Sequence, residues 1–197
     1  MDDELRKELL SMAAEDERVR TELAAGRQLF AGYHSRMQEV HERNAQRLDA
    51  VMKRDGWPGR ARVGDDGAQA AWRIAQHAIG WPPFMRRALE LIEKSAESGD
   101  VPRWQVAYLT DRIRFMEGRE QIYGTQFDWD DKGELAPYPI EEPGTVDVRR
   151  ALVGLRPLAE TMADRRARAV KSGENPPKRS EERQQQFLDW ARRAGWR

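Results

Sequence analysis

The sequence predicts a mainly α fold, a compact multi-helix bundle with a small irregular β-hairpin-like segment near residues 121–140. Two observations lead to this prediction. Apolar residues recur at spacings of three and four over long stretches, which is the period of an amphipathic helix. Strong helix breakers stand between those stretches, the clearest being GWP at 56–58 and GWPP at 80–83.

The first two predicted helices occupy residues 2–25 and about 28–54. The first begins with acidic residues, which suit the positive end of the helix dipole, and has Gly26 as its stop. Its apolar face carries one charged residue, Asp16. The second helix ends at the breaker that follows Arg54.

Three more helices are predicted at 68–79, 84–98 and 102–118, after a loop at 59–67. That loop contains glycine and aspartate, which favour turns. The two later helices both start close to a proline, which the first turn of a helix tolerates. This part of the chain therefore continues the helical bundle.

Residues 121–140 change character and predict two short extended segments around a turn at Lys132 and Gly133. Pro137 and Pro139 cannot donate to a β-ladder, so the second segment is expected to be an edge or irregular strand. This segment is the predicted β-like part of the main body.

The predicted organisation is a single helical domain at 1–170, a polar linker at 171–180 and a basic amphipathic C-terminal helix at 181–197. The 34 Lys plus Arg balance 34 Asp plus Glu overall. Residues 163–197 nevertheless carry ten Lys or Arg and five Asp or Glu, a net charge of +5, so the preceding part carries −5. The basic arm either meets an anionic partner or folds back on the acidic body.

Composition excludes several classes of function. The chain has no cysteine, which excludes a disulfide scaffold, cysteine-ligated metal and thiol catalysis. With zero net charge, no overall positive field attracts phosphates, so a nucleic-acid partner is not expected. Apolar runs are short and the N-terminal segment MDDELRKELL lacks the apolar core of a signal peptide, so we expect a cytoplasmic protein without membrane association.

Two of the three histidines share a face of the second predicted helix. His34 and His41 are seven residues apart, about 10.5 Å in helical rise, which is too far for both to bind one metal ion directly. A metal would need His77, Asp16 or Asp111 from other helices, so a divalent metal is possible but is not the favoured hypothesis. The alternative is that the histidines satisfy one another and Asn44 inside the bundle.

His77 is the leading candidate for acid–base chemistry. It follows Gln76 on an alanine-rich helix that also carries Trp72, and such small residues let a bulky group or another helix come close. An imidazole titrates near neutral pH and can therefore act as an acid or a base without large tuning. A structural histidine on a packed helix is the alternative.

Two further polar groups lie in the second half of the chain. Asp111 and Arg112 follow an apolar run in mid-helix and each needs a partner elsewhere, either in a structural ion pair or in an anion-binding pocket. The segment from Tyr123 to Gln126 offers a phenol, a glycine, a hydroxyl and an amide, which suits the mouth of a pocket or equally a hairpin edge. Phosphate-binding loops and nucleophile elbows are absent from the sequence.

Four strings carry a resemblance to a known family: HSRMQEVHERNAQRL, GWPGRARVGDDGAQAAWRIAQHAIG, AYLTDRIRFMEGREQIYGTQFDWDDKGEL and PIEEPGTVDVRRALVGLRPLAE. The chain resembles bacterial domain-of-unknown-function family 6624 from about Glu4 to Val170. The resemblance implies no established activity. It implies a polar signature formed by Asp16, Asn44, Gly56-Trp57-Pro58, Trp72, Gln76-His77, Asp111-Arg112, Gln121 and Tyr123-Gly124-Thr125-Gln126.

The chain departs from the family pattern at two places. Many relatives have aspartate where this chain has His41. Many also continue with an acidic stretch after the QHA string, where this chain has Ile79-Gly80-Trp81, and this difference would alter a pocket rim.

The sequence therefore leads to two hypotheses. The first is an acid–base, hydrolase-like enzyme with a polar pocket for a polar or anionic small molecule. The second is a non-catalytic ligand-binding or interaction module, possible as a homodimer, whose polar cluster is structural. Under the first, the catalytic residues are His77, Asp111 and Arg112. The substrate-binding residues are Asp16, His34, His41, Asn44, Trp72, Gln76, Tyr123 and Gln126.

Overall fold

The computed structural model describes residues 1–26, 28, 32–130, 132–173, 176 and 180–197. The chain forms two compact units, Met1–Gln105 and Val106–Arg197. The described residues form mostly α-helix with one two-stranded antiparallel sheet, so the predicted mainly α fold is confirmed. None of the described helices is both long and apolar enough to cross a lipid bilayer.

The first unit is built from α1 (Asp3–Ala25), α2 (Ser35–Asp55), α3 (Arg60–His77) and α4 (Pro82–Glu97). The fifth helix, α5 (Arg103–Met116), runs across the boundary between the two units. Within the first unit α1 packs on both α2 and α3.

The predicted start of the second helix, near residue 28, is wrong. The helix α2 begins at Ser35, and the residue before it, His34, is extended and accepts a hydrogen bond from the Arg36 amide at 3.2 Å. Residues 29–31 lie outside the described part of the chain. The helix thus begins after a histidine cap, later in the chain than the spacing alone indicates.

The predicted loop at 59–67 is also wrong, since α3 runs through it with a single non-helical residue at Gly64. Gly64 has φ 72° and ψ 172°, a conformation that glycine adopts without a steric cost. The kink coincides with a tertiary contact, because Arg6 of α1 makes a two-pronged ion pair with Asp66. Tertiary pairing therefore outweighs the turn propensity of the GDDG string.

The core of the first unit lies between these helices. The predicted apolar face of α1 is buried, including Leu9 and Leu23, and meets the alanine-rich face of α3. Burying each large aliphatic side chain contributes about 1.5–3 kcal/mol. The same buried face of α1 also carries Asp16, and this position brings a carboxylate into the core.

The second unit contains the predicted hairpin. Strands β1 (Phe127–Trp129) and β2 (Leu135–Pro137) pair antiparallel, with Asp128 opposite Ala136. The rest of the unit is a 3-10 helix (Pro143–Thr145) and the helices α6 (Val146–Leu152), α7 (Leu158–Ser172) and α8 (Ser180–Arg193).

The described part of the basic arm packs within the second unit. The Phe187 ring of α8 stacks on Phe115 at 5.1 Å between centroids, and Arg183 pairs with Asp128 at 2.6 Å. Arg197 donates to the backbone carbonyl of Met116 at 3.0 Å. Residues 174, 175 and 177–179 of the predicted linker lie outside the described residues, and the predicted domain division stays a prediction.

Candidate functional site

Three polar side chains from three helices converge in the first unit. Asp16 comes from α1, His41 from α2 and His77 from the last position of α3. Oδ2 of Asp16 lies 2.6 Å from Nδ1 of His77, and Oδ1 of Asp16 lies 3.5 Å from Nε2 of His41. The two imidazole rings are 5.3 Å apart and tilted by 44°. We call these three residues the Asp–His cluster.

Solvent exposure differs among the three side chains of the Asp–His cluster. The side chain of Asp16 is 2% exposed, that of His41 10% and that of His77 24%. His77 is thus the member of the cluster that solvent reaches most easily. An accessible imidazole held by a buried carboxylate is the arrangement that acid–base sites use.

The charge state of Asp16 follows from its partners. Burial alone raises the pKa of this carboxyl group, but the imidazoles of His41 and His77 act in the opposite direction, and the net result is a pKa below the ordinary value. Asp16 is therefore an anion at neutral pH. A buried anion needs cationic or donor partners, and His77, 2.6 Å from Oδ2, supplies one of them.

Tyr33 extends the cluster on the side of His41. Its hydroxyl group lies 2.8 Å from Nδ1 of His41, and the two rings stack with centroids 5.7 Å apart. Burial raises the pKa of the Tyr33 phenol, so it remains protonated. Sequence reasoning missed this residue, because it precedes α2 and helical spacing does not relate it to His41.

The Asp–His cluster is also the group of described residues that could hold a metal ion. One potential ligand atom from each of Asp16, His41 and His77 lies within 4.8 Å of the other two. The sequence predicts that a metal would need His77, Asp16 or Asp111 as ligands, and the spacing of His34 and His41 argues against a shared ion at those two residues. The structure puts His34 at the start of α2 as its cap and brings His41 into the cluster.

The other predicted residues of the first unit make structural contacts. Asn44, one turn beyond His41, donates to the carbonyl of Met12 at 3.2 Å and ties α2 to α1. The Trp72 indole donates to the Gln105 carbonyl at 3.2 Å. Gln76 is buried beside His77, with 4% of its surface exposed. Substrate-binding roles for these residues stay predictions.

A shallow groove lies elsewhere in the first unit, at the start of α3 and the turn after α4. It contains none of the predicted site residues, and its lining consists of Arg60, Ala61, Asp65, Ser98, Gly99 and Asp100. The polar pocket that the sequence predicts around His77 stays a prediction.

In the second unit, Asp111 anchors the loop that follows α5. Its carboxylate accepts hydrogen bonds from the backbone amides of Ile122, Tyr123 and Thr125, at 2.8 to 3.2 Å. Burial raises the pKa of Asp111, and these amides act in the opposite direction. The sequence predicted an ion pair or a catalytic carboxylate here, and a backbone anchor is what the contacts show.

Gln121 holds the same loop from inside. Its amide nitrogen donates to the carbonyls of Gln126 and Tyr138 at 3.0 and 2.9 Å, and its amide oxygen accepts from the Gln126 backbone at 2.6 Å. Gly124, with φ 65°, sits where an added Cβ would lie 2.7 Å from the Ile140 side chain. The YGTQ string of the family signature thus forms a tightly built loop.

Arg150 completes this loop and was not among the predicted residues. It is 2% exposed and donates to the carbonyls of Arg156 and Tyr123 and to the hydroxyl of Thr161, at 2.6 to 2.7 Å. Its neighbour in the sequence, Arg149, looks the same in the string VRRAL, so no sequence signal marks Arg150 as buried. The catalytic roles predicted for Asp111 and Arg112 stay predictions.

Comparison with known proteins gives a family but no activity. No curated protein matches the chain, and no solved structure matches it. A family match covers residues 3–168, most of the chain and all of the Asp–His cluster. The chain belongs to DUF6624, a family of unknown function.

Proposed function

We propose that the chain is an acid–base enzyme, hydrolase-like in its chemistry, that acts on a polar or anionic small molecule at the Asp–His cluster. The observation that carries this proposal is the 2.6 Å contact between Nδ1 of His77 and Oδ2 of Asp16. His77 is the acid–base group in this proposal, and Asp16 is its positioning residue.

The geometry of this pair suits proton transfer. A buried carboxylate that accepts from Nδ1 fixes the orientation of the ring and stabilises its cationic form. Proton exchange with a substrate then uses Nε2 of the partly exposed imidazole. In hydrolysis, His77 takes a proton from the attacking water and returns it to the leaving group, so the imidazole ends as it began.

The cluster contains no nucleophile of the serine or cysteine type, which favours direct attack by water over a covalent intermediate. Acid–base chemistry by His77 and Asp16 does not require Asp111 or Arg112. Binding of a substrate anion by Arg112 is supported by the sequence alone.

A second candidate function is a non-catalytic module in which the cluster fixes the register of three helices. The observation that favours it is burial, because two of the three members are at least nine-tenths buried and link α1, α2 and α3. Contacts between buried polar groups can specify one packing arrangement of the helices that carry them.

The test is a paired activity and ligand screen. Wild type and His77→Gln are assayed, both metal-free and Zn²⁺-loaded, against chromogenic carboxylic and phosphoric esters, and small anions are screened by thermal shift. We expect turnover by wild type. In His77→Gln, kcat should fall by about 10²–10⁴-fold, because this is the usual contribution of an acid–base group. Arg73→Gln, a partly exposed position one turn earlier on α3, is the control and keeps full activity.

One outcome would favour the second candidate. If no ester is turned over, no anion stabilises wild type, and His77→Gln only lowers the Tm, the cluster is structural and the enzyme proposal is dropped.

A further inference from the structure

Two buried atoms of the Asp–His cluster face each other without a hydrogen bond. Oδ1 of Asp16 and Nε2 of His41 are each inaccessible to solvent, and within the described residues neither has a hydrogen-bond partner. They lie 3.5 Å apart, at the outer limit of a hydrogen bond. Buried polar groups that are left unpaired destabilise a fold.

The contact with Tyr33 is coupled to the tautomer of His41, because the phenol can either donate to Nδ1 or accept from it. If Nδ1 of His41 donates to the Tyr33 oxygen, its Nε2 presents a lone pair to the anionic oxygen of Asp16, and the two repel each other. A cation placed between them would accept both lone pairs and satisfy both atoms. The second nitrogen of a metal-bound histidine is usually held by such an outer partner.

We propose that the Asp–His cluster binds one divalent transition-metal ion, with Asp16, Nε2 of His41 and Nδ1 of His77 as its ligands. All three ligand atoms already lie within 4.8 Å of one another. Ligand atoms about 2.0–2.1 Å from a tetrahedral ion are about 3.3 Å apart, close to the 3.5 Å between Oδ1 of Asp16 and Nε2 of His41. The other oxygen of this carboxylate, Oδ2, lies 2.6 Å from Nδ1 of His77, and this pair would have to open by less than about 1 Å to make room for the ion.

The donor set indicates which ions fit. Imidazole nitrogen suits Zn²⁺, Fe²⁺, Co²⁺ or Ni²⁺, whereas Mg²⁺ and Ca²⁺ prefer sites made of oxygen alone. Three protein ligands leave a coordination position for water, which is the pattern of reactive rather than structural metal sites. Of the three ligand side chains, His77 is the most exposed to solvent.

This inference goes beyond the proposed function, because the ion binds whether or not the chain is an enzyme. In the metal-free protein His77 acts as described above. With an ion bound, His77 would be a ligand, and the ion would lower the pKa of a bound water, so that hydroxide could serve as the nucleophile without the imidazole as base. An experiment can therefore find a bound metal ion without turnover, or turnover without a bound metal ion.

The experiment measures occupancy directly. The full chain is stripped with a chelator, then titrated with Co²⁺ followed by its visible absorption, and Zn²⁺ affinity is obtained by displacement. Wild type is compared with His41→Gln and His77→Gln, and the control is His34→Gln, which changes the chain's remaining histidine at the cap of α2. Circular dichroism checks that each variant is folded.

We expect one ion per wild-type chain and an unchanged affinity in His34→Gln. Both cluster variants should bind more than about 100-fold more weakly, beyond the cost of losing an outer partner. X-ray absorption of the wild-type Co²⁺ complex should show two imidazoles, and this readout does not depend on any variant. Absence of bound ion, an all-oxygen shell, or equal loss in His34→Gln would overturn the proposal.

Discussion

His77 and Asp16 are 61 residues apart in the chain and their side chains meet at 2.6 Å, which joins the end of α3 to the middle of α1. The carboxylate of Asp16 is shared with His41, so one buried anion links three helices. Because the anion is central to these contacts, its charge should matter for stability as well as for chemistry.

Removing that charge should destabilise the first unit. Asp16→Asn keeps the shape but weakens the contacts to both imidazoles, and we expect the free energy of unfolding to fall by about 1–3 kcal/mol. Urea denaturation in the presence of a chelator measures the effect without a metal contribution.

The neighbouring carboxylate gives the control for that experiment. Glu15 is 40% exposed and pairs with Arg43 on the surface, so Glu15→Gln should change the free energy of unfolding by less than about 1 kcal/mol. Equal urea midpoints for Asp16→Asn and wild type would show that the cluster does not stabilise the fold.

The helical architecture could be predicted because it follows from spacing. The period of the apolar residues located the buried face of α1, and breakers at 56–58 and 80–83 separated α2 from α3 and α3 from α4. The start of α2 could not be predicted in this way. His34 is not one of the residue types that usually cap helices, so its role appears only from the backbone.

The members of the candidate site could be predicted better than their contacts. Asp16 and His77 stood out as polar residues on apolar faces, but which carboxylate meets which histidine depends on how three helices pack. Asp111 shows the same limit, because a side chain that binds backbone amides leaves no periodic trace in the sequence. Tyr33 was missed because it precedes α2, and Arg150 was missed because Arg149 beside it looks the same in the sequence.

The loop after α5 should depend on the charge of Asp111. In Asp111→Asn, an amide nitrogen faces backbone donors where an oxygen accepted them, so we expect a loss of at least about 2 kcal/mol in the free energy of unfolding. Hydrogen exchange by NMR should show faster exchange at the amides of Ile122, Tyr123 and Thr125. Asp164→Asn, which breaks an exposed pair with Arg156, should leave those amides protected.

The packing of α8 should contribute to the stability of the second unit. Phe187 lies between Phe115 and Trp190, with centroids 5.1 and 5.9 Å away, and its side chain is half-buried. Phe187→Ala should therefore cost about 2 kcal/mol, roughly half the cost of the same change in a full core. Thermal unfolding and limited proteolysis measure it, and the exposed Gln186→Ala on the same helix should behave like wild type.

Acid should reduce the stabilising contribution of a second buried carboxylate, Asp49. This residue of α2 is contacted by Arg87 of α4. It is 3% exposed and accepts from Arg87 at 2.5 Å while pairing with Lys53 at 2.7 Å. Burial raises the pKa of Asp49, but Lys53 and Arg87 more than offset this, so the pKa in the folded state lies below the ordinary value. A carboxyl group with a lowered pKa stabilises the fold above its unfolded pKa and loses that contribution as the pH falls through the folded value.

The difference in the free energy of unfolding between wild type and Asp49→Asn should thus be about 1 kcal/mol near neutral pH, since both cationic partners are partly exposed. It should shrink as the pH falls below about 4, the unfolded pKa of aspartate. Urea denaturation at pH 7 and pH 3 compares the two states, with the largely exposed Asp65→Asn as a variant that shows no such difference at either pH. A difference that grows in acid would mean that burial, and not the pairing with Arg87 and Lys53, controls the ionisation of Asp49.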